Sequence, residues 1–240
     1  FTLVFIQDTL LIHFLILAAA ALTMATGVLG AVSQNEFRRI LSFHIVSQIG
    51  YMIMGLGLLT RAGLAGSVFY IFHHVIVKTN LFLVSGVANR LGGSYELKEL
   101  GGLYGRYPWL AALFLIPALS LAGMPPLSGF WAKLLLIKAG LEEERYAIVI
   151  VALIVGLLTL YSMIKIWNEA FWKKGKEEDF SETVFRNRGW AATLLPMVGL
   201  GLITLAIGIG GESLLGFANE AADQMMDSSR YVRAVLGGSP

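Results

Sequence analysis

Six apolar runs dominate the chain, at about 10–32, 40–59, 64–88, 109–137, 146–168 and 190–210. Each is about 18 residues or longer, the length at which a hydrophobic stretch reads as a membrane span. In hydrocarbon every backbone N–H and C=O must find its partner within the structure, which leaves helices and closed barrels as spanning solutions. Barrel strands need only about 9–11 residues, so runs this long select helices. Charged residues make up 14% of the chain, against about 25% in a soluble domain. The expected fold is all-α: a polytopic transmembrane helical bundle of about six spans.

Residues 1–8 read as the end of a preceding segment and 9–168 as a five-helix transmembrane unit. A cytoplasmic loop is expected at 169–189, the last transmembrane helix at 190–210 and an amphipathic tail at 211–240. In that tail Leu214, Leu215, Phe217, Ala221, Met225 and Met226 alternate with Glu212, Glu220, Asp223 and Asp227. A surface helix, a subunit contact and a loosely ordered tail all fit this pattern. No basic leader precedes the first run, so no signal peptide is expected.

Loop charge sets the orientation. The loops at 32–40, 89–108 and 169–189 hold ten basic residues, Arg38, Arg39, Arg90, Lys98, Arg106, Lys173, Lys174, Lys176, Arg186 and Arg188. The opposite side holds five, Arg61, Lys138, Arg145, Arg230 and Arg233. The richer side is expected in the cytoplasm and the C-terminus outside. Trp109, Trp167, Trp172 and Trp190 fall at helix ends on the cytoplasmic side, as an aromatic belt would.

Against this apolar background few ionisable residues lie deep. Lys78 and Lys133 are the deepest lysines, His73 and His74 the deepest histidines, and His44 is nearer the cytoplasmic end. A charge at mid-bilayer costs roughly 3 kcal/mol on insertion scales, so such residues face a bundle interior or water. His74 and Lys78 are four apart and share a helix face, while His73 points about 100° away. Desolvation favours the neutral form of an amine, and histidine titrates near neutrality, so the set suits a proton relay. The alternative is a structural pair that holds helices together by hydrogen bonds.

The fourth run contains "IPALSLAGMPPLSGFWAKLLLIKAG". Pro125 and Pro126 carry no N–H, and Gly123 lies just before them. A broken helix is expected over 109–137, with halves at 109–123 and 128–137 and an unwound link between. Unwound backbone at membrane depth is tolerated where it is buried in protein or lines a wet cavity. Lys133 follows the break, and the positive end of the new half-helix disfavours a charged amine nearby. A proline kink with a lysine reaching for solvent is the alternative. Lys165 and Glu169 are expected to form a surface pair at a cytoplasmic helix end.

The chain has no cysteine, which excludes disulfides and thiolate metal sites within it. No nucleophile–base pairing, Gly-rich phosphate loop or metal-ligand cluster is visible. Neither enzyme chemistry nor a cofactor, a metal or a nucleic-acid partner is expected. No Asp or Glu lies deep in a span, so hard cations find no carboxylate there, and the chain looks suited to protons.

The segments "SQNEFRRILSFHIVSQIGYMIMGLGL", "FHHVIVKTNLFLVSG" and "SLAGMPPLSGFWAK" resemble the antiporter-like membrane subunits of respiratory complex I and its relatives. "PPLSGFWAKLLLIKAG" and "GLLTLYSMIKIWNEAFWKKG" look most like the D-type subunits of multisubunit Mrp-type Na+/H+ antiporters. The resemblance covers roughly 9–170. It implies a fourteen-span fold of two inverted five-helix repeats, each with one broken helix and one key lysine. This chain would supply spans nine to fourteen, the second repeat included. The family's central lysine matches Lys78, with His74 one turn before it, and its broken-helix lysine matches Lys133. His73 is not demanded by the match. The resemblance implies a proton-translocating subunit of a monovalent cation/proton antiporter in the bacterial inner membrane, partnered by other subunits, with protons and Na+ as transported ions. A complex I subunit of the N type and a non-conducting structural subunit are the alternatives.

Overall fold

A computed structural model describes residues 9–175, 190–227 and 229. Asp8, the 176–189 stretch with Lys176, Arg186 and Arg188, and the tail residues Arg230 and Arg233 lie outside them, as does the side chain of Trp190. The described residues are helical apart from turns and one isolated bridge between Glu36 and Glu96.

The helices are α1 (Thr9–Ser33), α2 (Phe37–Leu58), α3 (Arg61–Gly92), the single turn α4 (Leu103–Arg106), α5 (Pro108–Ala122), α6 (Ser128–Glu142), α7 (Tyr146–Ile166), α8 (Trp190–Ile209) and α9 (Glu212–Met226). A π-helical turn, Trp167–Trp172, continues α7. Four helices are individually long and apolar enough to cross a membrane: α1, α2, α3 and α7 with its π turn. At about 1.5 Å per residue, α5 and α6 rise only about 22 Å each, short of a roughly 30 Å hydrocarbon core. They are the two halves of the expected broken helix. The second half runs five residues further than expected, to Glu142, so the outer connection to α7 shrinks to three residues.

α3 is 32 residues long, or about 48 Å, which carries it beyond the hydrocarbon. Thr60 caps its first turn, its side chain accepting from Gly63 N–H at 3.1 Å, and Gly93 ends it in the left-handed conformation. It is the central element, packing against α2, α5, α6, α8 and α9. α1 lies mainly on α2, where Ser47 Oγ–H donates to the Met24 carbonyl at 3.0 Å.

On the side expected to be cytoplasmic, the helix ends and their connecting loops knit together. Phe37 N–H donates to Tyr95 O and Leu97 N–H to Asn35 O, both at 2.9 Å, and the Arg38 guanidinium lies 3.6 Å from the Tyr95 ring centre. Lys165 does not pair with Glu169 as expected. Its amine donates to Val32 O at 3.1 Å and Gln34 O at 2.6 Å, capping the carbonyl end of α1. Glu169 pairs instead with Lys173 at 3.2 Å. A free helix C-terminus presents unpaired carbonyls and a partial negative charge, so it competes well for an amine within reach. Trp167 is also not a simple belt residue. It stacks in a cluster with Phe114 and Phe171, at centroid distances of 6.4 and 5.4 Å.

At the opposite end α9 turns 78° from α8 and lies on α3. Ala218 and Ala222, one turn apart, are buried in the contact, and Phe217 meets Phe72 edge to face at 5.6 Å. Arg61 donates to both carboxylate oxygens of Asp223, at 2.5 and 2.8 Å.

A candidate proton site between two apolar cores

The buried apolar residues form two clusters. One gathers Phe37, Leu41, Val77, Leu81, Phe114, Leu121 and Ile166; the other gathers Met24, Tyr51, Met54, Phe69, Leu136 and Ala152. Along α2, α3 and α7 the buried side chains between the two clusters are polar, and buried serines flank the break. They are His44, Ser47 and Gln48 on α2, His73 and His74 on α3, Ser120 and Ser128 on either side of the break, and Thr159 and Ser162 on α7. Lys78 and Lys133 border the same layer, 5% and 7% exposed. Buried polar groups contributed to one layer by five helices mark a candidate site, since each costs free energy when buried without a partner.

Lys78 lies past the midpoint of α3, and its amine donates to the Leu41 carbonyl of α2 at 2.9 Å. His74, one turn earlier, shares with it a recess of about 520 Å³ that also borders Ile45, Val75, Thr79, Phe82 and Leu83. This recess opens on the lateral face of the helices described. His74 Nε2 has no protein partner, and neither ring nitrogen of His44 has one.

The break is built by its prolines and glycines. Pro126 cannot give the N–H that would close a helical turn onto the Ala122 carbonyl. Lys133 takes that oxygen instead, its amine donating at 2.9 Å. The nearest helix end to the amine is therefore the carbonyl terminus of α5, not the amide terminus of α6. Gly123 has φ +96°, and a Cβ on it would lie 2.9 Å from Lys133 Cδ. Gly129 sits where a Cβ would overlap the Ser120 carbonyl oxygen and crowd His73 Cε1 at 2.8 Å. Both glycines let the two half-helices close on each other and on α3. Pro125 and Pro126 occupy the turn between them, joined by a cis peptide bond.

His73, a relay candidate that the family resemblance does not demand, reaches this break. Its Nδ1 lies 2.8 Å from Ser128 Oγ, which lies 3.1 Å from Ser120 Oγ, and Ser120 Oγ accepts the Gly129 N–H at 3.1 Å. Tyr70 stands edge-on to His73 with ring centroids 5.7 Å apart and stacks on Tyr51 at 5.2 Å. The Tyr70 hydroxyl donates to Gln48 Oε1, and Tyr51 donates to the Ala152 carbonyl. The Lys133 amine is 5.2 Å from the Tyr51 ring centre. Gln48, Tyr51, Tyr70, Ser120 and Ser128 are uncharged at neutral pH, so nothing in the apolar runs sets them apart as the lysines and histidines are set apart. The spacing of Gln48 four residues after His44 was the available signal.

Neither Lys78 nor Lys133 forms an ion pair with a carboxylate among the described residues. No group of three His, Cys, Asp or Glu among them could hold a metal ion. The arrangement is one of buried bases and hydroxyls: the lysines, His73 Nδ1 and the serines hold neutral partners, while both His44 ring nitrogens and the Nε2 atoms of His73 and His74 have none among the described residues. No carboxylate lies in this buried layer among the described residues.

Residues 1–159 match the family described as NADH:quinone oxidoreductase/Mrp antiporter, transmembrane. The chain is 49% identical over 236 residues to the D-type Na+/H+ antiporter subunit of Alkalihalophilus pseudofirmus, covering 98% of this chain and 47% of that protein. It resembles a chain in the Mrp complex of Dietzia sp. DQ12-45-1b, with TM-score 0.85 and 36% identity over 93% of this chain and 49% of that one. A chain of respiratory complex I from Thermus thermophilus gives TM-score 0.68 and 26% identity, over 85% of this chain and 45% of the other. The chain spans about half the length of the relatives it matches.

Proposed function

This chain belongs to the NADH:quinone oxidoreductase/Mrp antiporter transmembrane family, and from that membership we propose that it acts as a proton-translocating part of a multisubunit Na+/H+ antiporter. One observation carries the reading: Lys78 and Lys133 are both buried, both lack a carboxylate partner among the described residues, and each is held by one backbone carbonyl. A permanent buried charge without a counter-ion costs several kcal/mol. A group that loads and unloads a proton carries that cost only in transit.

Protons pass along the polar layer. Lys78 and His74 exchange at the lateral recess, His44 and His73 extend the layer within α2 and α3, and Lys133 exchanges at the break with the outer side. Its charge state biases Lys78 electrostatically through a low-dielectric interior. Gly123, Pro125 and Pro126 serve by keeping the Ala122 carbonyl open to the Lys133 amine. Higher identity and TM-score to the Mrp chain than to the complex I chain support antiport over redox-driven pumping. The chain works as a secondary transporter subunit in the bacterial inner membrane, with other subunits of a hetero-oligomeric complex as partners and protons and Na+ as the ions moved. The excess of basic residues in the 32–40, 89–108 and 169–189 loops supports a C-terminus outside.

The test is Na+-dependent collapse of a pH gradient in everted vesicles carrying the whole complex. Lys78→Ala and Lys133→Ala are each expected to abolish antiport while the complex still assembles. Antiport that survives at normal protein levels would make the lysines structural.

A further inference from the structure

We propose that Ser120 and Ser128 form a reversible hydroxyl wire that carries protons between His73 and the break in the α5–α6 span. The inference rests on the proton-relay reading above and assigns two residues that the lysines and histidines alone leave out.

The geometry is a chain of three groups. Ser128 Oγ lies 2.8 Å from His73 Nδ1 and 3.1 Å from Ser120 Oγ, and all three residues are buried, at 1%, 0% and 0% exposure. A hydroxyl has one proton to donate and lone pairs to accept. Ser120 Oγ already accepts from Gly129 N–H at 3.1 Å, so its own proton is free to point toward Ser128 or away from it. This makes two polarities. In the first, Ser120 donates to Ser128, Ser128 donates to a bare His73 Nδ1, and His73 carries its proton on Nε2. In the second, His73 Nδ1–H donates to Ser128, Ser128 donates to Ser120, and the Ser120 proton points outward.

Passage of one proton converts the first into the second. Ser120 gives its proton to Ser128 and receives one from water at the break. Ser128 gives its proton to Nδ1, and the imidazolium so formed releases the proton on Nε2 to a water molecule entering the polar layer. One proton enters and one leaves, no heavy-atom bond is made or broken, and the wire is reset by rotation of the hydroxyls and reorientation of the imidazole ring, which turns its bare nitrogen back toward Ser128. His73 Nε2 is buried with no protein partner. A buried ring nitrogen in that condition is costly for a purely structural histidine and suits one that meets its partner only in transit.

The two serines are not equivalent, which separates this role from packing. α6 has no side-chain cap from its own N-cap residue, Leu127, and Ser120 supplies one from the facing half-helix. Among the described residues the Ser128 hydroxyl hydrogen-bonds Ser120 and His73 and caps no helix. A structural role predicts a mild effect at Ser128 and a larger one at Ser120.

The experiment uses the complete complex in everted vesicles and reads the rate of Na+-dependent ΔpH collapse per assembled complex. Ser128→Ala and Ser120→Ala are each expected to slow it at least tenfold without changing the Na+ concentration for half-maximal rate. Ser128→Thr, which keeps the hydroxyl, is expected to recover most of that loss. A Ser128→Ala complex at half the normal rate or more overturns the wire, as does Ser128→Thr as slow as Ser128→Ala, or failure of both alanine variants to assemble. Lys133→Ala, run alongside, tells the two ideas apart. If it stops antiport while Ser128→Ala does not, the wire falls and the relay stands; if it leaves antiport intact, the relay falls as well.

Discussion

The Lys133 amine lies 2.9 Å from the Ala122 carbonyl oxygen, across the five residues that separate α5 from α6. Proline at 126 withholds the helical donor from that oxygen, and the lysine replaces it from the next half-helix. The same sequence feature that breaks the helix thus creates the acceptor that holds the relay lysine. Structure and proposed chemistry meet at one hydrogen bond.

Gly123→Ala tests how closely the break is fitted to the lysine. A Cβ there meets Lys133 Cδ at 2.9 Å, and φ +96° is a conformation an alanine rarely adopts. The expected cost is about 1–3 kcal/mol, read as a lowered Tm of the purified complex. Antiport should fall more than the amount of assembled complex, because the amine is displaced from Ala122. Unchanged Tm and transport would show that the break tolerates a side chain.

Lys165→Met removes the cap on α1 while keeping an apolar stem of similar length. Two carbonyls, Val32 and Gln34, lose their donor, at roughly 1–3 kcal/mol for a buried group left unpaired. Less assembled complex or a lower Tm is expected, with the antiport rate per assembled complex preserved. A drop in that specific rate at normal assembly would draw Lys165 into the transport path.

Arg61 and Asp223 anchor α9 to the start of α3 through an exposed, bidentate pair. Exposed pairs are worth about 0.2–1 kcal/mol and weaken with salt. A double-mutant cycle with Arg61→Ala and Asp223→Ala should give a coupling in that range, smaller at high ionic strength. Coupling of several kcal/mol would mean that the pair is shielded in the assembled complex.

Topology is checked with single cysteines, which the chain itself does not contain. Replacements at the exposed Lys174 and Glu220 should label from opposite sides, Lys174 from the cytoplasm and Glu220 from outside, when a membrane-impermeant thiol reagent is added to a cysteine-free background. Labelling of both from one side, or of Glu220 from the cytoplasm, would reverse or redraw the orientation.

Much of this was legible in the sequence because it is set locally. A long apolar run becomes a helix in a membrane wherever it is placed, since its backbone has no other partner there. Two adjacent prolines remove two donors whatever surrounds them, so the break between Gly123 and Ser128 could be read from composition alone. Lys78 and Lys133 stood out because a lysine deep in an apolar run is costly anywhere.

What each polar group touches was decided only by tertiary packing. Lys78 meets a carbonyl 37 residues away, His73 a hydroxyl 55 away and Lys165 the end of a helix more than 130 away. No periodicity encodes those partners. For Lys133, order along the chain points to the amide end of its own helix, while packing brings the Ala122 carbonyl of the other half within reach. Local chemistry fixed where the chain would be helical, broken and costly to bury. The approach of separate helices, whose side chains choose partners by distance and not by order along the chain, fixed which of those costs are met by a partner and which are left for a moving proton.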